Sequence, residues 1–440
     1  MRRYVIVGSG AAGISAIETI RKLDPSGEIT LISDEMHNYY SRPGLAYYLT
    51  GELAEEYLFP FSRNDFKNLK LCHLQARVVS INPDEHQVWL NTGKSLIYDR
   101  LLIAVGASAV GLNIPGDNLA GVVKLDNLDD ARQIIRLARK ARAAIVVGGG
   151  ITALEIVEGL LARGVRTHFL LRGETYWSNV LDRVESGIVL HRLQEEGVKI
   201  HFNTEIEKIL GNRGKVAGVQ TRDGRRLACE ILAYAIGVRP RIELAQASSL
   251  KTNRGILVDS RLCTSAADIF AAGDVAEVYD PLSGKSVIDS LWGPARDQGR
   301  IAGANMAGVA AHYSKPIPFN VTRLANLTTM IIGTVGKGMD KDLVGIARGD
   351  SETWRRLPEA IAAQSDFDVN RLRILVGQRN LLGAIVMGDQ SLSKALQDLI
   401  VNQVDISAIR DRLLQAGAPL ANLVTDLYLK VREKDARPVY

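Results

Sequence analysis

The sequence predicts an α/β chain in which two Rossmann-like nucleotide-binding units are accompanied by a C-terminal α+β unit. Three observations predict it. Two apolar runs of strand length, residues 4–7 and 144–147, each lead directly into a glycine-rich turn and a helix-like stretch. Far downstream, residues 264–274 read as a strand that ends in small residues and a carboxylate, Ala271-Ala272-Gly273-Asp274. At 440 residues, with about 150 residues per domain as a guide, the chain has room for three units. Its hydrophobic content of 46% supports large buried cores.

The first motif is Gly8-Ser9-Gly10-Ala11-Ala12-Gly13, followed by a helix predicted over residues 14–23. Gly8 permits the tight turn, Gly10 lets the backbone approach a pyrophosphate, and Gly13 lets helix and strand pack closely. The helix N-terminus attracts the phosphate charge. A second strand, residues 29–33, ends in Asp34-Glu35, and Asp34 stands 21 residues after Gly13. A carboxylate at that place accepts hydrogen bonds from ribose hydroxyls, so the segment reads as a dinucleotide site.

The pattern recurs in Gly148-Gly149-Gly150-Ile151-Thr152-Ala153, with a helix predicted over residues 154–163 and a strand over 166–171. Here the third glycine is Ala153, and the expected acidic residue is replaced by Leu171 followed by Arg172. A carboxylate would favour a free ribose hydroxyl and repel a phosphate, whereas Arg172 either pairs with a 2′-phosphate or faces solvent. The residue type favours NADPH and leaves NADH open.

With these elements in place, the chain resembles the pyridine-nucleotide disulfide oxidoreductase superfamily of FAD enzymes over residues 1–315. Leu101-Leu102-Ile103-Ala104-Val105-Gly106 resembles the strand and glycine that leave the first FAD half, with Val105 where the family has threonine. Residues 231–237 with Val238-Arg239-Pro240 resemble the matching exit from the NAD(P) domain. The resemblance implies a glutathione-reductase-like architecture. An FAD domain at 1–112 and 241–317 receives an NAD(P) domain at 113–240 as an insertion, and residues 318–440 form a C-terminal interface or acceptor-side domain.

It also implies FAD contacts at Gly8, Gly10, Ala11, Ala12, Gly13, Asp34, Glu35, Arg42, Pro43, Val79, Ala104, Gly106, Gly273, Asp274, Ala276 and Trp292. NAD(P)H contacts fall at Gly148, Gly150, Ile151, Thr152, Ala153, Glu155, Arg172 and Gly237. Asp274 is expected to hydrogen-bond the ribityl chain, with a helix after Val275-Ala276 facing the flavin's pyrimidine end; taken alone, Asp274 would read as a helix N-cap. Glu155 resembles a family glutamate near the nicotinamide, or serves as a charge favoured by the helix dipole. It is the one candidate catalytic side chain, since the flavin carries the chemistry.

Disulfide reductases of this superfamily carry a closely spaced redox-active cysteine pair, and this chain has none. Cys72, Cys229 and Cys263 are isolated in strand-like segments beside apolar residues, and each is expected to be a buried, inert thiol. The single-cysteine oxidases, peroxidases and coenzyme A disulfide reductases would place theirs near Ser41, where the sequence reads Tyr39-Tyr40-Ser41-Arg42-Pro43-Gly44-Leu45. A serine cannot cycle between thiolate and sulfenic acid. The Tyr-Ser-Arg-Pro run instead resembles the branch of rubredoxin and ferredoxin reductases and the FAD module of NAD(P)H-dependent nitrite reductase. Oxygenase-coupled ferredoxin reductases have a lysine shortly after the proline, where this chain has Ala46-Tyr47-Tyr48. The resemblance places Arg42 and Pro43 along the isoalloxazine; a plain surface turn is the alternative.

Residues 127–142 read as a helix with Ala131, Ile134, Ile135 and Ala138 on one face and Arg132, Arg136, Arg139 and Lys140 on the other, a basic face that is solvated or docks an acidic protein. Residues 295–308 read as a helix dense in small residues, preceded by Trp292, which either shields the flavin ring or is a core tryptophan. Residues 372–376 and 382–387 flank a hairpin turn, apolar residues at helical spacing follow from Leu392, and the charged tail 430–440 is expected to fray. No metal site is expected. Met1-Arg2-Arg3 runs straight into the first strand, no stretch is long enough to span a bilayer, and cysteines are few and unpaired, so a cytoplasmic location is expected.

The expected reaction passes hydride from NAD(P)H to FAD and then electrons to an external acceptor. A formal net charge of +5 favours an acidic iron-sulfur carrier such as rubredoxin or ferredoxin, or a partner subunit. Two alternatives stand beside it. One is an NAD(P)H oxidase or a quinone or small-molecule reductase; the other is a redox-responsive interaction protein of the apoptosis-inducing-factor type. A homo-oligomer or a complex subunit is compatible with either. Basic residues are dispersed and not interleaved with aromatics, so nucleic acid is not an expected partner.

Overall fold

In the computed structural model, which describes residues 1–335, 371–415 and 418–435, each glycine-rich motif sits at the carboxyl end of the middle strand of a five-stranded parallel sheet. In the first sheet β1 (Arg3–Val7) lies between β2 (Glu28–Ser33) and β4 (Arg100–Ile103), with β3 (Leu71–Gln75) beyond β2 and β10 (Ile269–Ala271) beyond β4. The second sheet repeats the order. β6 (Ala143–Val147) lies between β7 (Arg166–Leu170) and β9 (Ile231–Tyr234), with β8 (Lys199–His201) beyond β7 and β5 (Val122–Lys124) beyond β9. Parallel sheets are covered on both faces, which is why β1 and β6 read as continuous apolar runs without polar alternation.

The helices after the two motifs are α1 (Ala11–Leu23) and α4 (Ile151–Leu161). α1 begins directly after Gly10 and α4 directly after Gly150, each earlier than predicted. α1 packs against α6 (Trp292–Met306) with almost no side chain between the two backbones. A Cβ added to Gly299 would lie 2.1 Å from the Ala12 carbonyl oxygen, and one on Gly303 would lie 2.6 Å from that of Ala16. The small residues predicted over 295–308 therefore serve helix contact. α6 starts at Trp292 because Pro294 falls in its first turn, where a missing N–H costs no helical bond.

α3 (Leu128–Ala138) buries Ala131, Ile134, Ile135 and Ala138, as its spacing predicts. Its polar face is not wholly free, because Arg132 pairs with Glu55 of the first unit and with Asp129. α2 (Leu45–Thr50) packs on α4 through another missing side chain: a Cβ on Gly159 would lie 2.7 Å from that of Leu49.

The C-terminal unit is an antiparallel sheet in the order β12 (Phe319–Leu324), β13 (Leu327–Gly333), β15 (Leu381–Met387), β14 (Arg371–Val376). One face, with Met330, Ile332, Ala384 and Val386, packs on α7 (Ser393–Val401) and α8 (Leu420–Asp435). The other, with Leu327, Ile331, Ile385 and Met387, joins one core with Leu49 of α2, Leu154 of α4 and Leu190 of α5 (Arg183–Glu195). Arg373 of β14 reaches α5, where its guanidinium is 2.7 Å from the fully buried carboxylate of Glu185.

Three expectations are corrected. Residues after Val275 form a strand, β11 (Ala276–Asp280), where a helix was expected: Ala276 and Glu277 pair with Ile256 and Leu257. Cys72 is exposed, because β3 is the edge of its sheet; Cys263 is half-buried, and of the three only Cys229 is buried. The tail expected to fray is helical through Asp435, and residues 436–440 lie outside the described residues.

Candidate functional site

Gly8 ends β1 with φ +111°, and a Cβ there would lie 2.2 Å from the Ala104 carbonyl oxygen. Gly13 is pinned in turn, since its Cβ would lie 2.1 Å from the Gly8 carbonyl oxygen. Gly10 is different: nothing lies within 4 Å of an added Cβ, and as N-cap of α1 it supplies no side-chain cap. The result is an open floor above an uncapped helix N-terminus with no acidic residue in its first turn. Such a cradle has the shape and the dipole that suit a diphosphate.

The second motif repeats the device. Gly148 has φ +145° with its Cβ position 2.3 Å from the Ala235 carbonyl oxygen, Gly149 and Gly150 face open space, and Gly150 caps α4 without a side chain. At the third position, the Ala153 methyl lies 3.0 Å from where a Gly148 Cβ would stand. This helix is far enough from its turn to take an alanine. Ile151 and Thr152 open α4, and Glu155 follows one turn on, 5% exposed.

The chain leaves each cradle through a glycine at positive φ, Gly106 at +69° and Gly237 at +125°. The two exits then pair with each other, Ala107–Ala109 antiparallel to Val238–Pro240, so the two nucleotide units are joined at their sites. Gly273 returns the chain to the first cradle. With φ +80°, its Cβ position is 3.1 Å from the Ala12 methyl, and its N–H donates to Gln298 Oε1 at 2.8 Å. Asp274 follows it, half-buried, while Ala276 is fully buried at the start of β11.

Acidic residues at the end of β2 are engaged by arginines. Asp34 lies 3.0 Å from Arg77, and Glu35 accepts from Arg42, whose guanidinium also donates to the Asp126 carbonyl and stands 5.3 Å from the Tyr40 ring centroid. Arg42 thus ties the first unit to the second, and Pro43 is buried in the short turn behind it. Val79 lies on the strand Val78–Asn82, half-exposed and remote from the glycine turns in sequence. At the corresponding place in the second unit, Arg172 is exposed and, among the described residues, makes no ion pair.

Trp292, the first residue of α6, donates from Nε1 to Tyr39 Oη at 3.4 Å; Tyr39 meets Phe61 edge-on at 5.6 Å, and the Arg296 guanidinium is 5.0 Å from the Trp292 ring. Two residues to either side of this contact, Ser41 and Ser290 are buried with hydroxyls that find no partner among the described residues. Buried hydroxyls are ordinarily bonded, so this aromatic wall suits a polar, planar group. Beside it a groove of roughly 730 Å³ is lined by Phe59, Phe61, Glu55, Glu56 and Asp65. The Arg132 hydrogen bond holds the Glu55 carboxyl down to about 2. Burial pushes the Cys229 thiol up to about 12, away from thiolate chemistry.

Some polar residues that sequence reading passes over lie behind Glu155. Glu158 shares its helix face at a spacing of three, a visible signal; Tyr47, Tyr176 and Arg323 come from other elements and give none.

Two linked parallel sheets, each with a glycine cradle at its strand ends, define a two-dinucleotide oxidoreductase. The chain belongs to the pyridine nucleotide-disulphide oxidoreductase family, whose model matches residues 2–311. It is an FAD-dependent NAD(P)H oxidoreductase. It is 33% identical to a 3-phenylpropionate/cinnamic acid dioxygenase ferredoxin–NAD(+) reductase component of Photorhabdus laumondii, covering 92% of this chain and 97% of that one. A rubredoxin–NAD(+) reductase of Ectopseudomonas oleovorans is 29% identical, with 78% of this chain and 89% of that protein covered. Among solved structures, a ferredoxin reductase of Rhodopseudomonas palustris superposes with a TM-score of 0.82 at 23% identity, covering 96% of this chain and all of that one. Among the described residues, no helix is long and apolar enough to cross a membrane.

Proposed function

We propose that the chain delivers electrons from NAD(P)H to an iron-sulfur carrier protein of the rubredoxin or ferredoxin kind, or to a partner subunit, with no redox centre of its own besides FAD. The observation that carries this is Ser41. It stands buried beside the aromatic wall where thiol-dependent relatives would need a cysteine, so electrons must leave the site directly. Bound FAD supplies the two-electron carrier between dihydronicotinamide and acceptor.

The residues would then divide as follows. Gly8, Gly10 and the first-turn N–H groups of Ala11, Ala12 and Gly13 hold the FAD diphosphate, and Asp274 the ribityl chain. Trp292, Tyr39, Arg42 and Pro43 border the ring. Gly148, Gly150, Ile151, Thr152 and Ala153 hold the coenzyme diphosphate, and Glu155 faces the nicotinamide. The open floors above Gly10 and Gly150 support this division. We extend the reading to units at 1–112 with 241–317, 113–240 and 318–440, and to a cytoplasmic setting, which the few unpaired cysteines support.

Anaerobic stopped-flow mixing with NADH or NADPH is expected to bleach the flavin absorbance rapidly. Reoxidation should be fast with a rubredoxin or ferredoxin and slow with air. Failure of both coenzymes to bleach it would refute the reading, and rapid reoxidation by oxygen alone would replace it with an oxidase.

A further inference from the structure

Behind Glu155 a group of polar side chains is assembled from all three parts of the chain. Glu158 lies one turn further along α4, a spacing at which helical side chains are neighbours, about 5–6 Å between Cβ atoms. Its Oε1 is buried without a hydrogen-bond partner among the described residues. Arg323, on β12 of the C-terminal sheet, acts on it electrostatically; that guanidinium donates to Glu52 at 2.8 Å, stands 5.2 Å from the Tyr47 ring centroid, and keeps a buried Nε with no partner among the described residues. Tyr176, fully buried, brings to the same carboxylates a hydroxyl that has no partner among the described residues. Glu196 at the end of α5 and the backbone N–H of Asn326 complete the groups that act on Glu158.

Two carboxylates one turn apart in a buried setting cannot both be charged cheaply. Burial pushes the Glu158 carboxyl up to about 8; Arg323 pulls it down, Glu155 and Glu196 push it further up, and the Asn326 N–H opposes them. Near neutral pH, Glu158 therefore holds a proton. Hydride transfer to bound FAD would take both electrons of the dihydronicotinamide C4–H bond and leave the nicotinamide ring as a cation. An added positive charge nearby favours ionisation of a carboxyl.

We propose that Glu158 is the proton-linked partner of Glu155, releasing its proton to solvent when the nicotinamide becomes cationic, and that Arg323 is a positioning residue by which the C-terminal sheet sets the pH of that response. This rests on the placement of Glu155 beside the nicotinamide. It gives the C-terminal unit a part in coenzyme chemistry beyond that of an interface.

The test is the binding of NAD(P)+, the oxidised product, to the oxidised holoenzyme, followed by calorimetry in buffers of different protonation enthalpy across about pH 6 to 9. The sign follows from linkage. Binding of the cation favours ionised Glu158, so binding releases protons and tightens as pH rises, by about tenfold for each unit of displacement between free and bound forms. In Arg323→Met the inflection is expected to move up by about one unit or more, and in Arg323→Lys to stay near the wild-type position. In Glu158→Gln both proton release and inflection should vanish, and Arg323→Met added to it should no longer move anything.

Proton release unchanged in Glu158→Gln, or an inflection unmoved in Arg323→Met, overturns the proposal. Should Arg323→Met not fold, Glu158→Gln alone decides. Failure of the proposed function is a different result: a wild-type flavin that NAD(P)H does not reduce.

Discussion

Arg172 is a single exposed side chain whose job depends on what is placed before it. If it pairs with a 2′-phosphate through charge-assisted hydrogen bonds worth about 1.5–3 kcal/mol, Arg172→Ser lowers kcat/KM for NADPH by about tenfold or more and leaves that for NADH nearly unchanged. Equal values for NADPH in both proteins would return Arg172 to the solvent. At this scale the glycines were legible, because each is dictated by space close to its own turn: Gly8 against Ala104, Gly148 against Ala235. Glu158 was only half legible, through its spacing from Glu155. Arg323 was not, since its meaning depends on a contact between units that no local pattern announces. The exposure of Cys72 was missed for a related reason: an edge strand and a central one can share the same local residues, and only the sheet order tells them apart.

Pairs of elements show where the fold has no tolerance. The contact of α1 with α6 depends on Gly299 and Gly303, and Gly299→Val would drive a branched side chain into the Ala12 carbonyl, in the first turn over the diphosphate cradle. Overpacking of this kind costs about 1–3 kcal/mol. The expected outcome is a lower melting temperature together with release of flavin fluorescence at a lower temperature. Gly187 in α5 meets nothing within 4 Å, so Gly187→Ala is expected to raise stability by about 0.5–1 kcal/mol. The helix expected after Val275 went wrong at this scale. The segment Ala276–Asp280 buries its first three residues and its last, exposes Tyr279, and pairs on both sides as a strand. Val278 and Tyr279 are good strand formers, which favours this pairing over a helix.

Across the whole molecule, the C-terminal sheet is bound to the second nucleotide unit by an ion pair that cannot be broken on one side without cost. Arg373 is the cation for Glu185, which is fully buried and also helps cap α5. Arg373→Met leaves that charge without its partner, an error of about 3–5 kcal/mol, and the midpoint of urea unfolding followed by circular dichroism should fall accordingly. Adding Glu185→Gln should restore part of the loss, because the stranded charge is then gone. The division into units was readable because each parallel sheet announces itself with a strand and a glycine turn, whereas docking between units depends on side chains with no shared pattern. The placement of β10 has a consequence for how the protein is made. Its residues, Ile269–Ala271, close the first sheet against β4, which lies on the far side of the whole second unit in sequence. During synthesis the second sheet is complete once Tyr234 has been added, while the first still lacks an edge. Domains fold as units as the chain emerges, so the unit begun first is finished second, and its sheet can close only after the ribosome has delivered Ala271.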